Sequence, residues 1–195
     1  MSCIIYKITL KYEDTMDLYQ IFTEHNRPWS GFEITCYFSI LVVLLLVYIH
    51  LYKHGKVKIA QIVAGLVLFT YACVALESTV FTRKSQGYHT YELEVFWSWK
   101  SVIKYHSKEM IKENLLNIAL LFPFGLVLPF AFYKRLSWWK GLVIGFLLSA
   151  VIETLQFVLC RGLFEFDDMI HNGLGCMLGC VLAGFLFQKL LESRE

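Results

Sequence analysis

Glu153 lies inside an otherwise apolar run, four residues after Ser149 and three before Gln156, and Asp168 opens the next such run four residues before Asn172. Carboxyls so placed can act as acid or base, bind a polar headgroup, or pair with an arginine. On a helix, Ser149, Glu153 and Gln156 share one stripe, and Asp168, Asn172, Gly175 and Gly179 share another. A carboxylate at the centre of a membrane span costs about 2.5 to 3.5 kcal/mol, and less toward the interface, so Glu153 calls for a partner. Arg161, two turns on, is the nearest, and Arg83 is next. Glu153, Arg161 and Asp168 read equally as an ion-pair network that locks a bundle and as a functional site, and the two readings are compatible. His171, beside Asp168, is a candidate acid or base, although a histidine at a helix start is commonly solvated or capping.

Five apolar runs must position these groups. They cover residues 34–52, 59–76, 115–133, 141–160 and 169–187, each close to the roughly 20 residues that cross a hydrocarbon core. The expected fold is therefore all-α, a polytopic transmembrane bundle of about five helices. Residues 1–32 form an extramembrane arm, 33–76 carry two anchor helices, and 77–188 hold the other three. In the long connection after Glu77, Trp97, Trp99, Val102 and Ile103 among Glu and Lys suggest an amphipathic helix in the headgroup zone, its tryptophans anchoring the interface. Ser107 is placed to cap the third membrane helix, and Pro123 and Pro129 within it predict kinks. Residues 161–168 read as a short polar loop. Because neighbouring helices are antiparallel, Asn114 and Asn117, Glu153 and Gln156, and Asp168, His171 and Asn172 all fall at one membrane face.

Composition narrows the function. The 195 residues are 57% hydrophobic and 17% charged, richer in apolar side chains than soluble domains. A formal net charge of +2 with no basic block gives no footprint for nucleic acid. The six cysteines lack C-x-x-C spacing, so neither a disulfide framework nor a metal site is expected; Cys176 and Cys180 read as small core residues. No G-x-S-x-G, H-E-x-x-H or phosphate loop occurs, and no cofactor is implied. Lys or Arg follows the first and third runs and the last, whereas the loop after the fourth holds Arg161 alone. The positive-inside rule then sets the N-terminus and the polar cluster outside and the C-terminus in the cytoplasm.

The ordered set Asn117 to Pro123 and Gly125, Ser149 to Glu153 and Gln156, Arg161, Asp167, Asp168, His171, Asn172, Gly175 and Gly179 resembles the VanZ-like family, over about residues 77 to 188, with Arg83 and the 94–100 stretch also matching. The resemblance implies a small multi-pass protein of the bacterial plasma membrane. Its named member lowers susceptibility to glycopeptide antibiotics, teicoplanin in particular, and its members are not established enzymes. The implied partners, besides the bilayer, are a cell-wall precursor, a lipid headgroup or a lipoglycopeptide. Two functions stand against each other. One is a non-catalytic envelope protein using Arg83, Asn117, Ser149, Glu153, Gln156, Arg161, Asp168 and Asn172 for binding or structure, with Pro123, Gly125, Gly175 and Gly179 in helix packing. The other is a membrane enzyme on a lipid-linked precursor, with Glu153, Asp168 or His171 as acid or base and Arg161 stabilising negative charge. A small transporter is a third possibility, hinted at by the two prolines alone.

Overall fold

A computed structural model describes residues 27–192, so most of the expected N-terminal arm lies outside the described residues. Five helices in it are long and apolar enough to cross a membrane. Helix α1 (Gly31–Lys53) starts at a capping box, in which Ser30 Oγ accepts from the Glu33 amide and the Glu33 carboxylate accepts from the Ser30 amide. No residue of α1 is buried, because lipid serves as its solvent on nearly every side. It leans on α2 (Ile59–Leu76), where Tyr37 stacks on Phe69 and its hydroxyl meets Thr70 at 3.0 Å.

The second membrane segment does not close at Leu76. It runs on through a π-helical turn, Glu77–Phe81, sealed by Thr82, whose amide and hydroxyl both donate to the Glu77 carbonyl. The connector then forms a short strand β1 (Thr90–Glu92) and helix α3 (Trp97–Tyr105) before α4 (Lys108–Phe132). Ser107 caps α4 as its sequence position suggests, accepting from the Met110 amide. The helix passes unbroken through both prolines, and one turn before Pro123 the Tyr71 hydroxyl donates to the Leu120 carbonyl at 2.6 Å. After α5 (Trp138–Val158), residues 161–168 are not the plain loop expected from their polarity. Leu163–Glu165 form β2, parallel to β1, and α6 (Phe166–Glu192) already begins at Phe166. Backbone pairing between segments far apart in sequence leaves no periodic signal over three residues.

Helix α6 is the centre of the bundle, packed on α4 and α5. Glycines set the spacing, since apolar side chains gain little by leaving lipid for each other and close backbone contact must hold the helices together. A Cβ on Gly175 would overlap the Ile118 carbonyl, on Gly179 the Phe122 carbonyl, and on Gly125 the Cys176 carbonyl. On the other side, Gly145 and Gly141 of α5 lie against Cys176 and Cys180. Leu121, Leu128, Leu136, Cys176 and Cys180 form the buried apolar core. At the end of the bundle where α2 begins and α4 ends, Lys58 sits over the Tyr133 ring at 3.8 Å and Arg135 donates to Gln188.

Gly175→Val inserts a branched side chain where a backbone carbonyl stands, so it is expected to destabilise the bundle by about 1 to 3 kcal/mol or more. Gly31→Ala, with open space around its Cβ, is expected to leave stability unchanged or slightly raised. Thermal unfolding of the two variants in detergent checks the contrast.

Candidate functional site

At the opposite end of the bundle lies a cavity of about 690 Å³, walled by α4, α5 and α6 and roofed by the connector. Glu153 and Gln156 line it from the buried stripe of α5, at 2% and 5% exposure, while Ser149 on the same stripe is fully buried and does not line it. The left-handed Cys160 (φ 53°) ends α5 and folds the chain back, so that Gly162 lies beneath the Gln156 side chain. Gln156 donates to the Thr79 carbonyl in the π-turn at 3.0 Å, and a Glu153 oxygen accepts the Glu165 amide of β2 at 3.1 Å.

The first turn of α6 carries two adjacent aspartates with different duties. Asp167 is buried and faces the connector, where its carboxylate accepts the Phe96 and Ser98 amides and the Ser98 hydroxyl. These bonds hold Phe96 in the left-handed region (φ 62°) that starts α3, fixing the connector over the bundle. Asp168, about 100° round the helix, faces the cavity and accepts from Asn117 Nδ2 of α4. One turn on, Asn172 donates to Ser149 Oγ at 2.8 Å, tying α6 to α5.

Several expected contacts are different in the structure. Arg161 does not pair with Glu153, and no Glu153–Arg161–Asp168 ion network exists. Its guanidinium instead donates to the carbonyls of Phe81 (2.6 Å) and Val80 (3.3 Å). The turn at Cys160 aims it at these C-terminal carbonyls, which attract a cation. Among the described residues the salt bridges within 4 Å are Arg27–Glu33 and Lys100–Glu94, neither in the cavity. Arg83 is the cation that lines the cavity, exposed to its space yet surrounded by protein. Lost hydration pushes its guanidinium pKa down, and the Glu153 and Asp168 carboxyls push it back up.

His171 is neither solvated nor in the cavity. It is buried on another face of α6, where Nε2 accepts the Trp99 indole N–H at 2.8 Å. The tryptophans are likewise more than interface anchors, since Trp97 donates to Glu165 Oε2 at 3.1 Å.

Sequence reading passed over four wall residues, Thr79, Ser98, Glu113 and Glu165. Asn114 and Glu113, on the turn preceding Asn117, carry a helical signal, whereas Glu165 and Ser98 carry none, because the strand pairing and Asp167 bring them in. The Glu165 carboxyl stands at about 8, raised first by burial and then by the neighbouring Asp168, with Glu113 and Asp167 adding to the shift and the Trp97 hydrogen bond opposing it.

The model of a known family, VanZ/LLP1, matches residues 38–187. The chain belongs to the VanZ/LLP1 family. The match begins at residue 38, within α1, and so takes in most of α1 and all of α2 besides the three later membrane helices. The geometry agrees, because the second segment supplies Tyr71 to α4 and Thr79 to the cavity. Neither a curated protein nor a solved structure matches the chain. As a member of VanZ/LLP1 with five apolar spans, it is a multi-pass membrane protein.

A folded-state value near 8 against an ordinary 4.5 means that folding favours protonated Glu165. Its contribution to stability is fully present below pH 4.5 and is lost as pH rises toward 8. Relative to the native protein, Glu165→Gln is therefore expected to gain stability steadily across that interval. Thermal unfolding of both in detergent over the same pH range measures the difference.

Proposed function

We propose that this VanZ/LLP1 protein is a binding protein of the bacterial cell envelope. Its cavity takes the polar headgroup of a bilayer lipid or lipid-linked envelope component at the outer face, and through it lowers susceptibility to glycopeptide antibiotics of the teicoplanin type. The observation that carries this reading is the make-up of the cavity wall. Buried polar groups, among them Glu153, Asn114 and Asn172, lie inside, while Leu116 and Leu163, 52% and 36% exposed, belong to the same wall. A headgroup exchanges its water for the former while its acyl chains stay on the apolar surface of the latter.

The outward orientation is supported by charge. Lys53, Lys56 and Lys58 after α1 and Lys134, Arg135 and Lys140 after α4 gather at the end away from the cavity, as basic residues do on the cytoplasmic side. A thiol introduced at exposed Tyr88 in the connector is expected to react with a membrane-impermeant maleimide applied to whole cells. Labelling seen only after cell rupture would reverse the orientation.

A catalytic reading has one observation in its favour, that Glu153 and Asp168 share the cavity with a cation, Arg83 in place of Arg161. The two functions differ in what they leave behind, since an acid–base enzyme converts a lipid-linked species and a binding protein does not. Cells expressing the protein are expected to tolerate more of an acylated glycopeptide than cells lacking it, with little change for a non-acylated one. Glu153→Gln should lose this protection, and lipid extracts of all strains should contain the same species. Equal susceptibility throughout would sink the binding proposal, and a new lipid species dependent on Glu153 would establish the enzyme.

A further inference from the structure

We infer that the headgroup this cavity accepts is a zwitterion with a primary ammonium, its positive end among Glu153, Glu165 and Asp168 and its anionic group, of the phosphate class, against Arg83. This deepens the headgroup-binding reading above and rests on it.

Charge is the first ground. Four carboxyls, of Glu113, Glu153, Glu165 and Asp168, line the cavity with the single guanidinium of Arg83, and no ion pair within 4 Å joins any of them among the described residues. An anionic headgroup would meet this excess of acids, a neutral one would answer none of the charges, and a simple cation would leave Arg83 unmatched. A zwitterion matches both signs.

Unmet hydrogen bonds are the second and independent ground. Asn114 and Asn172 are 3% and 2% exposed and both line the cavity, yet Asn114 Nδ2 and Asn172 Oδ1 have no partner among the described residues. Buried polar atoms left so are uncommon and costly. The free donor asks for a ligand oxygen and the free acceptor for a ligand N–H. A primary ammonium brings three N–H donors, enough for Asn172 and two carboxylates, whereas a quaternary ammonium brings none and would leave Asn172 unsatisfied.

Depth completes the assignment. Arg83 and Glu113 are exposed, whereas Glu153 is buried, so the cation end lies inward and the phosphate end near the opening, beside Leu116 and Leu163. The same aminoalkyl phosphate chemistry occurs in a bilayer lipid and in a free phosphomonoester, and the apolar wall favours the lipid.

The full chain in detergent can be titrated with phosphatidylethanolamine, phosphatidylcholine and phosphatidylglycerol of identical acyl chains, and with soluble phosphoethanolamine, reading occupancy by native mass spectrometry and unfolding temperature. Phosphatidylethanolamine is expected to bind best and to stabilise most. Soluble phosphoethanolamine should bind more weakly, and compete. Glu153→Gln is expected to weaken phosphatidylethanolamine binding by about thirtyfold or more, through loss of a buried charge partner. Arg83→Gln, on an exposed position, is expected to weaken binding through loss of the phosphate partner and serves if Glu153→Gln does not fold. Phosphatidylglycerol or phosphatidylcholine binding as well as phosphatidylethanolamine would overturn the ammonium assignment while leaving headgroup binding intact. No lipid binding above background would overturn both.

Discussion

The contact between the backbones of α6 and α4 governs the rest of this structure. Gly175 and Gly179 of one helix, and Gly125 of the other, let carbonyl oxygens stand where side chains would otherwise be. In lipid the helices gain little from exchanging one apolar environment for another, so close packing of this kind decides which helices meet. Gly141 and Gly145 repeat the device between α5 and α6, and the three helices are drawn together over their middle and basic ends. Beyond the glycines, Asn117, Glu153, Asp168 and Asn172 occupy the facing positions. The gap there is polar because those side chains line it.

A gap so lined is stable only if its carboxyls are held. Three of the four have support from a different part of the chain: Glu153 from a backbone amide of β2, Asp168 from Asn117, and Glu165 from the Trp97 indole. The connector between the second and third membrane segments is therefore structural. It is fastened at the β1–β2 pairing and at Asp167, which satisfies three donors of the α3 start. The support is incomplete, since the carboxyls lining the cavity outnumber its one guanidinium and two buried asparagine atoms lack partners among the described residues. An interior with unmet polar groups costs the protein some stability, which is the feature the proposed headgroup binding draws on.

Polarity of charge along the bundle follows the same division. The basic turns after α1 and α4 lie at one end, and at the other, beneath a connector that carries lysines of its own, lie the carboxyls of the cavity. The arginine between α5 and α6 does not neutralise them because it is spent on the carbonyls of the π-turn. This helix-terminal role also explains why the second membrane segment extends to Phe81 and can place Thr79 and Arg83 at the cavity.

Hydropathy and spacing by themselves determined the number of membrane helices, their approximate limits, the cap at Ser107 and the inward stripes of α5 and α6. All of these depend on local composition or on the 3.6-residue repeat, which hold in any tertiary setting. The stripe from Ser149 to Gln156 was legible because an apolar helix shows its polar positions plainly. Which charges meet was not legible. Arg161 stands two turns from Glu153 in sequence, but a single left-handed residue turns it toward another helix. Glu165 enters the cavity through a three-residue strand, and His171, four residues after Asp167, shares the connector-facing side of that aspartate rather than the cavity side of Asp168. Contacts made between distant segments by turns and short strands have no period to read, so tertiary structure alone decided the partners of the polar residues that sequence had already gathered at one end.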